Sequence, residues 1–236
     1  FNPIFIVGMP RSGSTLLDQI LSSHSLVDSV GEITFFSKSN VIEPYISFLK
    51  NNTCNDFDSF EDFVIDLREG YINRIRKVNS SINVFVDKTL SNYLYIDLIL
   101  CAFPNAKFIN IQRESKSNAW SIYKNPFKDG FYNWTCDFKK IFNIYGEYNT
   151  FIKEYLNKYQ SCFINLSYED LVLNNEQTVL KVLNFLELDF EQNCLKHYKN
   201  KNAVTTLSAE QVREKIYDSS INEWKLYKEF FPELRK

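Results

Sequence analysis

The chain is poor in the residues that mark several common functional classes. Only two of its 236 residues are histidines, His24 and His197, and its five cysteines (54, 101, 136, 162 and 194) form no C-x-x-C pair. Such spacing builds neither a zinc site nor a disulfide framework, and an odd number of scattered thiols predicts buried, reduced cysteines. Neither sign of charge dominates: 27 basic side chains against 29 acidic ones leave a net charge of −2. A strongly basic nucleic-acid coat and a polybasic membrane binder are thereby excluded, and any anion site has to be local. The longest apolar stretch, residues 90–103, is interrupted by Asp97 and falls short of the roughly 20 apolar residues that cross a bilayer. No signal peptide opens the chain, and a first residue Phe1 in place of Met reads as a cut inside a longer polypeptide. Internal repeats and low-complexity linkers are absent, so one domain over residues 1–236 is the economical reading.

What is present is an ordered alternation. Short β-type runs at 4–7, 84–86, 107–111 and 162–165 alternate with helical patterns at 15–23, 60–78, 90–103, 115–123, 133–158 and 176–186. That alternation predicts an α/β fold, a parallel sheet flanked by helices on both faces. In such sheets ligands bind beyond the carboxyl ends of the strands, which directs attention to the residues that follow each strand.

Glycine is scarce, yet two of the six, Gly8 and Gly13, bracket the turn between the first strand and the first helix. Gly8-Met9-Pro10-Arg11-Ser12-Gly13-Ser14-Thr15 has the G-x-x-x-x-G spacing of a P-loop, with Ser14 where nucleotide triphosphatases carry lysine. Such a loop wraps an anion in backbone N–H groups at a helix amino terminus. Here the positive charge has moved into the loop as Arg11, and no Walker-B aspartate for magnesium is evident. The plainer alternative is a Gly/Ser turn that only caps a helix.

The segment from Ile4 to Leu17 closely resembles the 5′-phosphosulfate loop of sulfotransferases that use 3′-phosphoadenosine 5′-phosphosulfate (PAPS). Gly31-Glu32, Val86-Asp87-Lys88, Phe108 to Arg113, Ser121-Ile122-Tyr123, Ser167 to Leu171 and Gln211 to Tyr227 follow in the order and spacing of that family. The pattern is most similar to bacterial sulfotransferases often fused to tetratricopeptide repeats, which leaves room for an upstream repeat domain, and to tyrosylprotein sulfotransferases.

The resemblance implies a P-loop-like fold, PAPS as donor, no metal, and a division of roles. Arg11, the amides of Ser12, Gly13, Ser14 and Thr15, and the Ser14 and Thr15 hydroxyls would grip the 5′-phosphosulfate. Lys88, at the end of the 84–86 strand, would stabilise the bridging oxygen or the transferring sulfonate; a solvated strand-end lysine is the alternative. Glu32 resembles the general base that takes the acceptor's proton, against the alternative of a helix-start carboxylate. His24 is a competing base, although Ser22-Ser23-His24-Ser25 looks like a helix terminus where a histidine meets the last carbonyls. Arg113 and Ser121 would hold the 3′-phosphate, with a surface salt bridge and a helix-face hydroxyl as their alternatives. Tyr168 would contact the nucleotide or be a half-buried aromatic with a wet hydroxyl, and Thr206 and Lys215 complete the implied donor contacts.

Departures from the family pattern fall at Glu114-Ser115-Lys116, Asn125 and Glu214-Lys215. Val30 and Val86 stand where secretory-pathway tyrosylprotein enzymes have cysteines, which points to the cytosol; the Golgi lumen is the alternative if an upstream anchor has been removed. The acceptor would carry a hydroxyl or amine on a protein tyrosine, a carbohydrate or a small molecule, entering between residues 35–71 and 124–134. No nucleic-acid or membrane partner is expected for this chain. The rival readings are a kinase-like phosphoryl-transfer enzyme, a non-catalytic nucleotide-binding module and an aromatic-rich interaction domain. The 16% of aromatic residues fall mostly in periodic segments, which core packing explains better than the last of these.

Overall fold

The computed structural model describes residues 1–78, 83–125, 127, 130–200 and 210–235. Its centre is a sheet of five parallel strands, β1 (Asn2–Gly8), β2 (Asp28–Gly31), β3 (Val84–Asp87), β4 (Lys107–Gln112) and β5 (Phe163–Ser167), in the order β2-β3-β1-β4-β5. The predicted parallel α/β architecture is what forms. The four anticipated strands all appear, within about two residues at each end, a normal fraying margin.

The strands bury both faces, and the period of two in their sequences separates two chemistries. Phe5, Val7, Phe85 and Phe108 point into an aromatic layer with Phe36, Phe63 and Tyr71. Ile4, Ile6, Val86, Ile109 and Ile111 point the other way, into an aliphatic layer. Helices α2 (Ser39–Asn51), α3 (Phe60–Arg76), α4 (Ile96–Ala102), α5 (Ser115–Tyr123) and α6 (Phe138–Lys158) cover the first face. The helices α1 (Ser14–Leu21), α7 (Tyr168–Leu173) and α8 (Asn175–Phe185) cover the second.

Three elements were not legible as periodic patterns. β2 is a polar edge strand of four residues, joined to β3 with a register shift between Ser29 and Gly31. α2 contains Pro44, which removes an interior N–H, but Val41, Pro44 and Phe48 fall on one face and bury it. α7 is a six-residue helix capped by the Ser167 hydroxyl, which accepts from the Asp170 N–H. The single helix expected over 90–103 is instead a 3-10 turn, Leu90–Tyr95, followed by α4. The cysteines also differ from expectation. All five are free, but only Cys194 is buried; Cys101 and Cys136 are exposed, Cys101 on the face of α4 opposite the one that buries Leu98, Ile99 and Ala102.

One buried polar tie crosses the aromatic layer. Tyr71 of α3 donates to Asp87 Oδ2 at 2.8 Å, and the Thr89 N–H donates to Asp87 Oδ1 at 2.9 Å. Burial raises the pKa of both Asp87 and Tyr71. Replacing Tyr71 with Phe strips a fully buried carboxyl of a donor, and removing one partner of such a group costs about 2 kcal/mol. The melting temperature of Tyr71→Phe should fall by roughly 5 °C, measured by calorimetry, whereas an unchanged value would mean that the hydroxyl contributes nothing.

Candidate active site

Every strand delivers a candidate residue at its carboxyl end. The loop 8–15 follows β1, Glu32 follows β2, Lys88 follows β3, Arg113 follows β4 and Tyr168 follows β5. The placement of Glu32 depends on β2, the strand that the sequence did not reveal.

The loop is built for close approach. A Cβ on Gly8 would sit 2.7 Å from Ser12 Oγ and 2.9 Å from the Ile111 carbonyl, and Gly13, at φ +102°, would push a Cβ into the Tyr168 ring. Arg11 also takes positive φ, at 64°. Gly13 begins α1 and has no side chain to cap it, and Ser14, Thr15 and Leu16 of the first helical turn line a cavity. The Ser12 hydroxyl is buried with no hydrogen-bond partner among the described residues.

Arg113 lies across the other end of the loop. Its Nη1 donates to the Arg11 carbonyl at 3.2 Å and its Nη2 to the Ser220 carbonyl at 2.5 Å, and the guanidinium stacks 4.5 Å over the Tyr168 ring. The side chain is only 6% exposed and its Nε–H has no partner among the described residues. Arg11 reaches Ser121 Oγ from Nε at 3.4 Å and Gln211 Oε1 from Nη2 at 3.1 Å. Burial lowers both guanidinium pKa values, and for Arg11 the charge of Arg113 is the next cause. The predicted pair Arg113 and Ser121 is therefore brought together, with Arg11 bonded to the serine. The Tyr168 hydroxyl shares a 2.8 Å hydrogen bond with Ser220 Oγ.

Lys88 is 3% exposed, so it is not a solvated strand-end lysine. Its Nζ donates to Glu32 Oε1 at 2.5 Å, while the Glu32 side chain stays 48% exposed. No helix starts at Glu32, which closes the helix-cap alternative. The carboxylate is held indirectly: Thr89 Oγ1 accepts from the amides of Ile33 (3.0 Å) and Thr34 (3.2 Å), and the Lys88 N–H donates to the Gly31 carbonyl at 2.9 Å. His24 serves structure instead. Its Nδ1 accepts from the Leu26 N–H at 3.1 Å, so Nε2 carries the proton and donates to the Asp189 carbonyl at 2.9 Å.

Most of these groups, though not Ser12, His24 or Lys88, line a cavity of about 750 Å³, within the size range of small-molecule sites. Arg11, Gly13, Ser14, Thr15, Glu32, Arg113, Ser121, Tyr168 and Lys215 all line it. Thr206 lies outside the described residues. Of the anticipated acceptor segments, Lys124 and Phe127 reach the cavity, whereas no residue of 35–71 lines it; Phe35, Phe36, Phe48, Phe63 and Tyr71 pack in or against the aromatic layer. The family model described as Sulfotransferase family matches residues 3–192. The chain belongs to the sulfotransferase family.

A protein of Aquifex aeolicus (strain VF5) without an assigned function is 33% identical to this family member over 237 residues. The match covers 97% of this chain and 31% of that protein, so the chain spans about a third of its relative's length. The fold is shared with the sulfotransferase domain of the Synechococcus PCC 7002 olefin synthase (20% identity, TM-score 0.67, 95% of this chain and 87% of that one). It is shared also with a mouse sulfotransferase crystallised with PAP (15% identity, TM-score 0.56, 100% and 85% covered). No helix among the described residues is long and apolar enough to cross a membrane.

Several participants escaped the sequence. Ser220 and Gln211 lie in the recognised carboxyl-terminal segment, but nothing local shows that they meet Tyr168, Arg113 and Arg11. The departure at Glu114 has a structural role: its carboxylate caps α5, accepting from the Lys116 and Ser117 amides. Asp18, one turn into α1, is almost fully buried, and its pKa is raised to about 6, by burial first, with Ser29 and the charge of Lys88 opposing.

A carboxyl whose pKa is raised by folding stabilises the protein while protonated; that contribution is complete below its unfolded value of 3.8 and is lost as pH rises through about 6. Asp18→Asn should therefore be more stable than wild type at pH 8, by roughly 2–3 kcal/mol, with the difference largely gone by pH 4. Denaturant melts at the two pH values check this, and a constant difference would refute it.

Proposed function

We propose that this chain transfers a sulfonate group from PAPS to a hydroxyl or amine acceptor, with Glu32 as general base and Arg11 and Lys88 as electrostatic catalysts. The observation that carries the reading is a single cavity lined both by Gly13, Ser14 and Thr15 at the start of α1 and by the buried Arg113 guanidinium with Ser121. Two anion sites in one cavity suit a nucleotide bearing separate 5′ and 3′ anions, and a fork of N–H donors suits phosphate. The mouse relative's complex with PAP supports the same donor.

In this reading the Ser12–Thr15 amides and the Ser14 and Thr15 hydroxyls hold the 5′-phosphosulfate, Arg113 and Ser121 hold the 3′-phosphate, and Tyr168, Thr206 and Lys215 contact the nucleotide. The acceptor oxygen or nitrogen bonds to sulfur as the bond from sulfur to the 5′-phosphate oxygen breaks. The acceptor's proton passes to Glu32, and the charge left on the bridging oxygen falls to Lys88 and Arg11, which supply what a metal ion supplies in phosphoryl transfer. The Glu32–Lys88 contact explains how one carboxylate and one ammonium stay poised at the same point. Residues 1–236 act as one catalytic unit, resident in the cytosol by the reading of Val30 and Val86.

Calorimetry without magnesium should show that 3′-phosphoadenosine 5′-phosphate (PAP) binds at least about tenfold more tightly than 5′-AMP, and that Arg113→Ala removes this preference. Equal or absent binding by wild type would end the PAPS assignment. Glu32→Gln should lower turnover by about 10²–10⁴-fold while retaining PAP binding; near-normal turnover with any accepted substrate would remove Glu32 from the role of base.

A further inference from the structure

The peptide group that joins Arg113 to Glu114 is held at both of its polar ends. Its carbonyl, that of Arg113, accepts from the Tyr145 hydroxyl of α6 at 2.5 Å, and its N–H, that of Glu114, donates to Glu169 Oε1 of α7 at 3.0 Å. The two helices cover opposite faces of the sheet, so the grip reaches the carboxyl edge from both sides. Each partner is itself fixed. Tyr145 lies on the face of α6 that buries Ile141, Tyr148 and Ile152 against the aromatic layer. Glu169 Oε2 accepts from the Ser167 hydroxyl at 3.1 Å, and that hydroxyl also caps α7. Neither Tyr145 nor Glu169 lines the cavity formed by the described residues, and the proposed chemistry uses neither.

That peptide is where the sheet gives way to a helix. β4 ends at Gln112 and α5 begins at Ser115, so neither a strand ladder nor a helical bond fixes the group between them, and side chains do so instead. The torsions on either side of this peptide set the direction in which α5, and with it Ser121, leaves relative to Arg113. Glu114 extends the same control, since its carboxylate caps α5 through the Lys116 and Ser117 amides. The far end of Arg113 is held separately, by the Arg11 and Ser220 carbonyls and the Tyr168 ring. With both ends fixed, the guanidinium meets an anion already ordered, which spares the entropy that binding otherwise costs.

We infer that Tyr145 and Glu169 are positioning residues for Arg113 and Ser121, acting through the Arg113–Glu114 peptide to set the preference for a 3′-phosphorylated nucleotide. The inference rests on the PAPS reading above and adds to it which residues outside the cavity sustain donor selectivity. Tyr148 supplies an internal comparison. It lies one turn along the same buried face of α6 and also donates its hydroxyl to β4, but to the Asn110 side chain, three residues short of Arg113.

The test is calorimetry with PAP and 5′-AMP on wild type, Tyr145→Phe, Tyr148→Phe, Glu169→Ala and Glu169→Gln, with thermal melts to show that each variant folds. Tyr145→Phe should reduce the preference for PAP over 5′-AMP about fivefold, the worth of one hydrogen bond. Tyr148→Phe should lower the melting temperature and leave the preference unchanged, as a merely structural hydroxyl does. Glu169→Ala should reduce the preference as Tyr145→Phe does, and Glu169→Gln, whose amide oxygen still accepts from the Glu114 N–H, should retain it. A role of the Glu169 charge alone would run the other way: removing a carboxylate within electrostatic range of Arg113 would strengthen phosphate binding in both Glu169 variants. If Tyr145→Phe does not fold, the Glu169 pair decides. A preference unchanged in folded Tyr145→Phe or in Glu169→Ala, or one that falls as far in Tyr148→Phe or in Glu169→Gln, overturns the inference and leaves the PAPS reading standing. A wild type that binds PAP no better than 5′-AMP overturns both.

Discussion

Positive charge withdrawn from water at the carboxyl edge of the sheet is the constraint around which the rest of this molecule is arranged. Lys88 and Arg113 are almost fully buried there, and Arg11 is partly so. A buried cation is tolerated only when paired and hydrogen-bonded. Lys88 meets Glu32, Arg113 meets two main-chain carbonyls and the face of Tyr168, and Arg11 meets Ser121 and Gln211. The partners come from all parts of the chain, so the site forms only when the whole fold does. The same withdrawal from water makes these charges effective towards an anion, because Coulomb interactions strengthen as the local dielectric falls.

The supports of the two halves differ. Glu32 and Lys88 are set by a buried polar tie, Tyr71 to Asp87 to Thr89 to the Ile33 and Thr34 amides, rooted in the aromatic layer. The half around the loop is set by stacking: Gly13 lies close against Tyr168, the Arg113 guanidinium stacks over the Tyr168 ring, and the carboxyl-terminal segment is tied on through Ser220. Further out, Ser117 Oγ donates to the Ile221 carbonyl, Lys124 pairs with Glu223, and Trp120 stacks on Tyr227. α5 thus holds the returning chain along its length, and the cavity has its far wall from residues about a hundred positions away.

Local features of the site were legible, and distant ones were not. The loop could be read because its glycines, its arginine and its helix start lie within eight residues. Arg113 and Ser121 took their roles from the family resemblance, supported by their order and spacing. Glu32 was recognised by resemblance alone, since the four polar residues of β2 carry no strand pattern. His197 counted in the sequence only as evidence against metal chemistry; its burial follows from packing that the fold creates. The burial of Asp18 was equally hidden, because an acid on a short amphipathic helix ordinarily faces water.

By itself the sequence determined the parallel α/β architecture, four of its five strands and the G-x-x-x-x-G loop, because each rests on periodicity or on residues close together in the chain, and it indicated the family through motifs whose order and spacing resemble that family's. The tertiary structure alone decided that β2 carries Glu32 to Lys88, that the carboxyl-terminal segment closes over Arg113 and Tyr168, and that His197 and Asp18 are shut away from water. The physical reason is the same for all of these. They depend on which side chains meet after the chain has folded back on itself, and on the low dielectric that this meeting creates, neither of which is written in the spacing of residues along the chain.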